Sequence, residues 1–149
     1  MTTTSSASSD EPLIRQRLEN WAKALRAKDL DGLMSHYAND VLVFDVPPPL
    51  RYEGAAAYRK NWADWFASFR APVIGYEIRD LNVTTGGGVA FCRSLNHITG
   101  PRTSGENTDV WVRATVGLRR IGDRWMIVHE HVSVPINMQT YQAELSLKP

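Results

Sequence analysis

The sequence predicts an α+β domain: two helices, a short strand, a third helix and then a run of antiparallel strands, with the helices covering one face of the sheet. Three observations carry this expectation. Apolar residues recur at helical spacing as far as Phe69. β-Branched and aromatic residues dominate the segments between Val73 and Val134. Gly86-Gly87-Gly88 and Gly122-Asp123 divide those segments as tight hairpin turns.

Taken in order, the small polar opening over residues 1–9 cannot repay its ordering entropy and predicts a disordered tail. The domain is expected over 10–137, followed by a C-terminal arm over 138–149, a last short helix or a loose segment. Asp10 or Ser9 can cap the first helix, with Glu11 and Pro12 in its first turn. Ile14, Leu18, Trp21 and Leu25 form its apolar stripe. Asp29 caps a shorter helix carrying Leu30, Leu33, Met34 and Tyr37. At Val41-Leu42-Val43-Phe44 the period changes to that of a buried strand, which ends at Asp45, and Pro47-Pro48-Pro49 then leads the chain away from the sheet. The third helix follows Gly54, with Tyr58, Trp62, Trp65, Phe66 and Phe69 on one face. Val73–Thr84 pairs with Val89–Ile98 and Val110–Arg120 with Trp125–Val134, the loop Thr99–Thr108 lying between the two hairpins.

With 149 residues and 16.8 kDa the chain is a single domain, large enough to bury a core without disulfide or metal staples. Seventeen Lys and Arg against sixteen Asp and Glu give a formal net charge of +1, which points to neither nucleic acid nor an anionic membrane as partner. Cys92 is the lone cysteine, a small buried filler, and excludes an internal disulfide framework. Residues 1–10 show neither a basic start nor an apolar run, and no stretch approaches eighteen apolar residues, so a cytoplasmic location is expected. No P-loop, dinucleotide fingerprint, G-x-S-x-G elbow or H-E-x-x-H motif occurs.

Several residues could carry chemistry. Asp45 closes a buried strand among aromatic segments, where poor hydration raises a carboxyl pKa toward that of a general base working near neutrality. The alternative is a strand-end carboxylate bonded to backbone or to Arg51 or Arg113. His129 and His131 lie two apart on a strand and share a face, by simple alternation the face of Trp125, Ile127 and Ser133. They read as pocket acid–base groups, as metal ligands with Asp45 or His97, or as polar residues satisfied structurally. Trp111, Arg113 and Thr115 alternate on the preceding strand, so Arg113 is either an anchor for a ligand carboxylate or one half of a structural ion pair. Arg93 and His97 extend that polar patch, while His36 is expected at the surface. The aromatic stripe of the third helix is core first, and a pocket beside it would suit a flat apolar ligand. Trp21, Tyr37, Tyr58, Trp62 and Phe66 are its candidate lining, joined by His97 and Trp111.

Asp29-Leu30-Asp31-Gly32-Leu33, Tyr37-Ala38-Asn39-Asp40-Val41, Phe44-Asp45 and Tyr52-Glu53-Gly54 resemble the first half of the nuclear-transport-factor-2-like superfamily, in its SnoaL-like and ketosteroid-isomerase-like branch. Trp111–Thr115 and Trp125–Pro135 resemble its closing hairpin, and also the association domain of calcium/calmodulin-dependent protein kinase II, which places arginines deep in its pocket. The resemblance implies a cone, with a curved antiparallel sheet wrapped around three helices and a deep pocket, in a homodimer joined through the open side of the sheet. It puts Asp45 where ketosteroid isomerase keeps its proton-shuttling aspartate. The tyrosine and protonated aspartate that polarise the carbonyl in that enzyme are replaced by Trp21 and by Ala114 or Thr115, a departure that puts steroid isomerisation in doubt.

Two functions fit. One is a cofactor-independent isomerase, cyclase or dehydratase acting on a small apolar carbonyl or hydroxy compound. Asp45 would be its base, and His129, His131, Arg113 or the Trp111 indole would stabilise the oxyanion. The other is a non-catalytic module that binds a small apolar or weakly anionic ligand, or assembles oligomers. Neither requires a cofactor, and no metal site is assigned.

Overall fold

The computed structural model describes residues 6–149, and side chains from Asp10 onward. The first helix, α1 (Ser6–Arg26), starts within the segment expected to be a tail, so Pro12 lies inside the helix rather than in its first turn. The rest of that tail, residues 1–5, lies outside the described residues. Ile14, Leu18, Trp21 and Leu25 are buried, as their spacing predicts. Helix α2 (Leu30–Met34) is capped by the Asp29 carboxylate, which accepts from Gly32 N–H.

Strand β1 (Tyr37–Phe44) begins four residues earlier than the apolar run suggests and takes Tyr37 out of the helix. A two-residue strand, β2 (Tyr52–Glu53), leads through Gly54 into α3 (Ala55–Ala67), which buries Tyr58, Trp62 and Phe66. Four long strands follow: β3 (Gly75–Gly86), β4 (Val89–Pro101), β5 (Asn107–Ile121) and β6 (Arg124–Ser133). The β3–β4 turn holds Gly87 and Gly88 at φ +60° and +80°, the left-handed pair that a tight two-residue hairpin requires. Much of the expected loop Thr99–Thr108 is strand, because β4 and β5 stay paired as far as Pro101 and Asn107.

The six strands form one sheet in the order β2-β1-β6-β5-β4-β3. Every pairing is antiparallel except β1 with β6, which is parallel. The sheet curves around the helices, and the core lies between them. The segment after β6 forms no helix; it folds back through an isolated Ile136–Ala143 bridge. Among the described residues no helix is long and apolar enough to cross a membrane.

Residues paired across neighbouring strands share a face, so the register sorts the side chains. Val43, Glu130, Val116 and Cys92 form one row on the inner face. Phe44, His131, Thr115 and Arg93 form the next row, on the outer face. A bulge in β6 sets this arrangement: Leu118 pairs with Ile127 but Gly117 pairs with His129, leaving Val128 as an extra residue. Trp125 and Ile127 therefore face the core, and three positions later Glu130 does so as well.

Candidate active site

A cavity of about 760 Å³ opens between the inner face of the sheet, α1 and α3. That volume suits a small organic ligand. Its walls are largely apolar, with Leu18, Trp21, Trp62, Ile98, Val112 and Val116 among them. Two of the acids on that lining, Asp45 and Glu130, come close together.

One hydroxyl joins them. Tyr58 Oη lies 2.9 Å from Asp45 Oδ2 and 2.8 Å from Glu130 Oε2. Asp45 Oδ1 accepts from the Val46 N–H at 2.7 Å, and Asn61 Nδ2 approaches Asp45 Oδ2 at 3.4 Å. On the far side, Trp21 Nε1–H donates to Tyr37 Oη at 2.9 Å, and the Tyr37 hydroxyl donates to Glu130 Oε1 at 3.1 Å. Each link follows from local structure. Asp45 is delivered by the end of β1, Tyr58 by the first turns of α3, and Glu130 by the β6 bulge.

A proton count constrains the charge. Tyr58 has one hydroxyl hydrogen and two carboxyl neighbours, so with both acids ionised a phenolic lone pair would face a carboxylate at under about 3 Å. One proton shared by the pair removes the conflict. Electrostatics agrees: burial, reinforced by the Asp45 charge, lifts Glu130 to about 7. Burial raises Asp45 as well, opposed by its bonds from Val46, Tyr58 and Asn61. Burial and the Glu130 charge also keep both tyrosines protonated, Tyr37 and Tyr58 lying well above the usual phenol range. The two carboxyls together hold one proton near neutrality, and Glu130, 3% exposed, is the more deeply buried of the pair.

A second polar group lies across the same lining. Asn96, buried, accepts from Ser94 Oγ at 2.8 Å and donates to Tyr76 Oη at 2.8 Å. The Tyr76 hydroxyl hydrogen then has no acceptor among the described residues, although Tyr76 lines the cavity. It is a donor available to a bound oxygen.

The sequence candidates divide between the two faces. Asp45, Trp21, Tyr58 and Trp62 line the cavity; Tyr37 joins its hydrogen-bond network, and Phe66 is packed in the core. Asp45 bonds to neither Arg51, which pairs with Glu53, nor Arg113, which donates to Ser133 Oγ. His129, His131, Arg113, His97 and Trp111 do not line the cavity. Alternation placed the histidines with Trp125 and Ile127, and the Val128 bulge turns them to the other face. There His129 Nδ1–H donates to the Leu42 carbonyl at 2.7 Å, and both rings meet Phe44 edge-on. His97 stacks on Trp111 at 4.4 Å and bonds Asp109 at 2.6 Å. His36, expected at the surface, is buried; Arg17 donates to its Nδ1, and burial holds it down at about 4. Among the described residues no three His, Cys, Asp or Glu side chains converge to hold a metal.

Glu130 escaped the sequence reading. Its signal was the even series: apolar residues run unbroken from 125 to 128 and then take only 132 and 134, and Glu130 is the one acid among those even positions. Asn96 and Tyr76 left no comparable trace.

Comparison with known proteins agrees with this architecture. Residues 14–137 match the family described as SnoaL-like domain. An NTF2-like protein of unknown function from Pseudomonas putida is 35% identical over 96% of this chain and 99% of its own, with a TM-score of 0.86. At fold level alone, a ketosteroid isomerase-like protein from Erwinia carotovora is similar (19% identity, 82% and 93% coverage, TM-score 0.70). So is a candidate scytalone dehydratase from Novosphingobium aromaticivorans (13% identity, 92% and 91% coverage, TM-score 0.77). No curated protein matches the chain.

Proposed function

The chain belongs to the SnoaL-like domain family, and we propose that its cavity hosts a cofactor-independent acid–base reaction on a small apolar carbonyl or hydroxy compound. The observation that carries this reading is the Asp45–Tyr58–Glu130 chain, a half-buried and a buried carboxyl bridged by one phenol at hydrogen-bond distance. Asp45, ionised and half-buried, takes a proton from a carbon next to the substrate carbonyl. The electron pair moves onto the carbonyl oxygen, which the free Tyr76 hydroxyl stabilises. Glu130 gives its proton to the second substrate site: another carbon in an isomerisation, a departing hydroxyl in a dehydration. Asp45 then passes its proton to Tyr58 while Tyr58 passes its own to Glu130, restoring the starting charge. The histidines, Arg113 and Trp111 take no part in this scheme.

The test is hydrogen exchange at the α-carbons of an apolar cyclic ketone such as 2-tetralone, followed by NMR in deuterated buffer. Wild type should accelerate exchange above buffer, and Asp45→Asn should abolish roughly a thousandfold of that acceleration with an unchanged circular-dichroism spectrum. Glu130→Gln should keep exchange at the first carbon and block transfer to the second. Exchange that is absent across a panel of such ketones, or indifferent to Asp45, returns the protein to the non-catalytic binding reading.

A second copy of the chain is the proposed partner, seated on the outer face of the sheet, where Phe91 is 52% exposed. A monomer at micromolar concentration by light scattering overturns that assignment.

A further inference from the structure

Arg102 stands where β4 gives way to the loop before β5, among the residues lining the cavity. Its guanidinium lies 4.0 Å from the Phe69 ring centre and 5.8 Å from that of Trp65. Its Nε–H donates to Thr108 Oγ1 at 2.6 Å and one Nη1–H to Ser68 Oγ. Hydroxyls and rings, not carboxylates, thus fix its orientation. Among the described residues no acid lies within ion-pair distance of it. An arginine has five N–H donors and two are used, which leaves three on a rigidly held plane.

We propose that Arg102 is a substrate-recognition residue: it binds a carboxylate on the ligand, so that the cavity takes an aromatic or alicyclic carboxylic acid with its ring among the apolar walls. The assignment rests on the cavity being the reaction chamber proposed above, and adds a second fixed point to it. Three parts support it. The remaining N–H groups can form the paired contact by which guanidinium holds a planar carboxylate. Trp65 beside the cation lines the cavity and offers flat apolar surface to a ring attached to that carboxylate. Glu106 also lines this end of the cavity, and its charge opposes a dianion more than a monoanion, which favours carboxylate over phosphate. The site is also distinct from the patch around Arg113, since Arg113 lies on the outer face, bonded to Ser133.

The experiment is isothermal titration with three probes of one ring: 2-naphthoate, 2-naphthamide and 2-naphthyl phosphate. Wild type should bind the carboxylate about tenfold or more above the neutral amide, the preference that a charged hydrogen-bond pair supplies. Arg102→Gln should remove the preference and leave amide affinity within about twofold, while Arg102→Lys restores part of it. A folded wild type without the preference, an Arg102→Gln variant that keeps it, or tighter binding of the phosphate overturns the proposal. Because Arg102 packs on Phe69, the Arg102 Nε resonance of wild type gives a second readout: it should shift on adding 2-naphthoate and stay fixed with the amide. A fixed resonance in both cases also overturns the proposal. Asp45→Asn should keep the carboxylate preference, so failed exchange chemistry and failed carboxylate recognition are separate results.

Discussion

The two faces of the sheet carry similar residue types under opposite physical regimes. On the inner side the polar side chains are few and joined into two networks, Trp21–Tyr37–Glu130–Tyr58–Asp45 and Ser94–Asn96–Tyr76. On the outer face they are more numerous, open to solvent and satisfied in local pairs, as with Arg113 and Ser133, or His97 and Asp109. Glu130 and His131 are sequence neighbours, yet one is held near a pKa of about 7 by burial while the other is exposed. Chemical potential here comes from which side of the sheet a residue occupies, not from its identity, because desolvation acts only on the inner side.

The sharpest way to break that contrast is to exchange its two neighbours, Glu130→His with His131→Glu, which puts an imidazole between Tyr37 and Tyr58 and moves the acid to the outer face. Thermal unfolding should record a loss on the order of 4 kcal/mol, the range for breaking a buried hydrogen-bonded network. Deleting Val128 should cost far less, because Ile127 is then followed directly by His129 and plain alternation keeps His129 outward and Glu130 inward.

The next effect is in the pH dependence of stability. Glu130 has a folded pKa raised from 4.5 to about 7, so between those values the folded state holds a proton that the unfolded state has lost. Stability should therefore fall as pH rises from about 4.5 to about 7 and level off above, by on the order of 3 kcal/mol at about 1.4 kcal/mol per pH unit. Urea unfolding across that range checks the slope, and Glu130→Gln should flatten it. A slope of opposite sign would remove the shared proton from the site.

Smaller still is Tyr58→Phe, which deletes the bridge but keeps the ring; a loss of about 1–3 kcal/mol is expected for the unmet carboxyl bonds. The outer face should respond least. His129→Ala loses one bond to the Leu42 carbonyl and should cost about 1 kcal/mol. His131→Ala should stay within about 0.5 kcal/mol and leave ketone exchange untouched.

Much of the fold was legible in the chain. The apolar stripes of α1 and α3, the two glycine turns and the strand ending before Asp45 each depend on near neighbours, which periodicity reports. Tyr37 was misplaced because the short α2 stops at Met34 and the sheet recruits the next segments, a tertiary gain that local propensity does not register. The site was half legible. Asp45, Trp21 and Tyr58 were found from a strand end and a helical spacing, while Glu130 was hidden behind the two histidines beside it.

The sequence by itself determined the order of elements, the apolar stripes and the presence of a carboxyl at a buried strand end, because each is encoded within a few residues. Only the tertiary structure decided which strand face looks inward, since alternation has two equal phases and a bulge switches between them without a marker in composition. It also decided the meeting of Asp45, Tyr58 and Glu130, which come from β1, α3 and β6 and converge only when the parallel β1–β6 pairing closes the sheet over the helices.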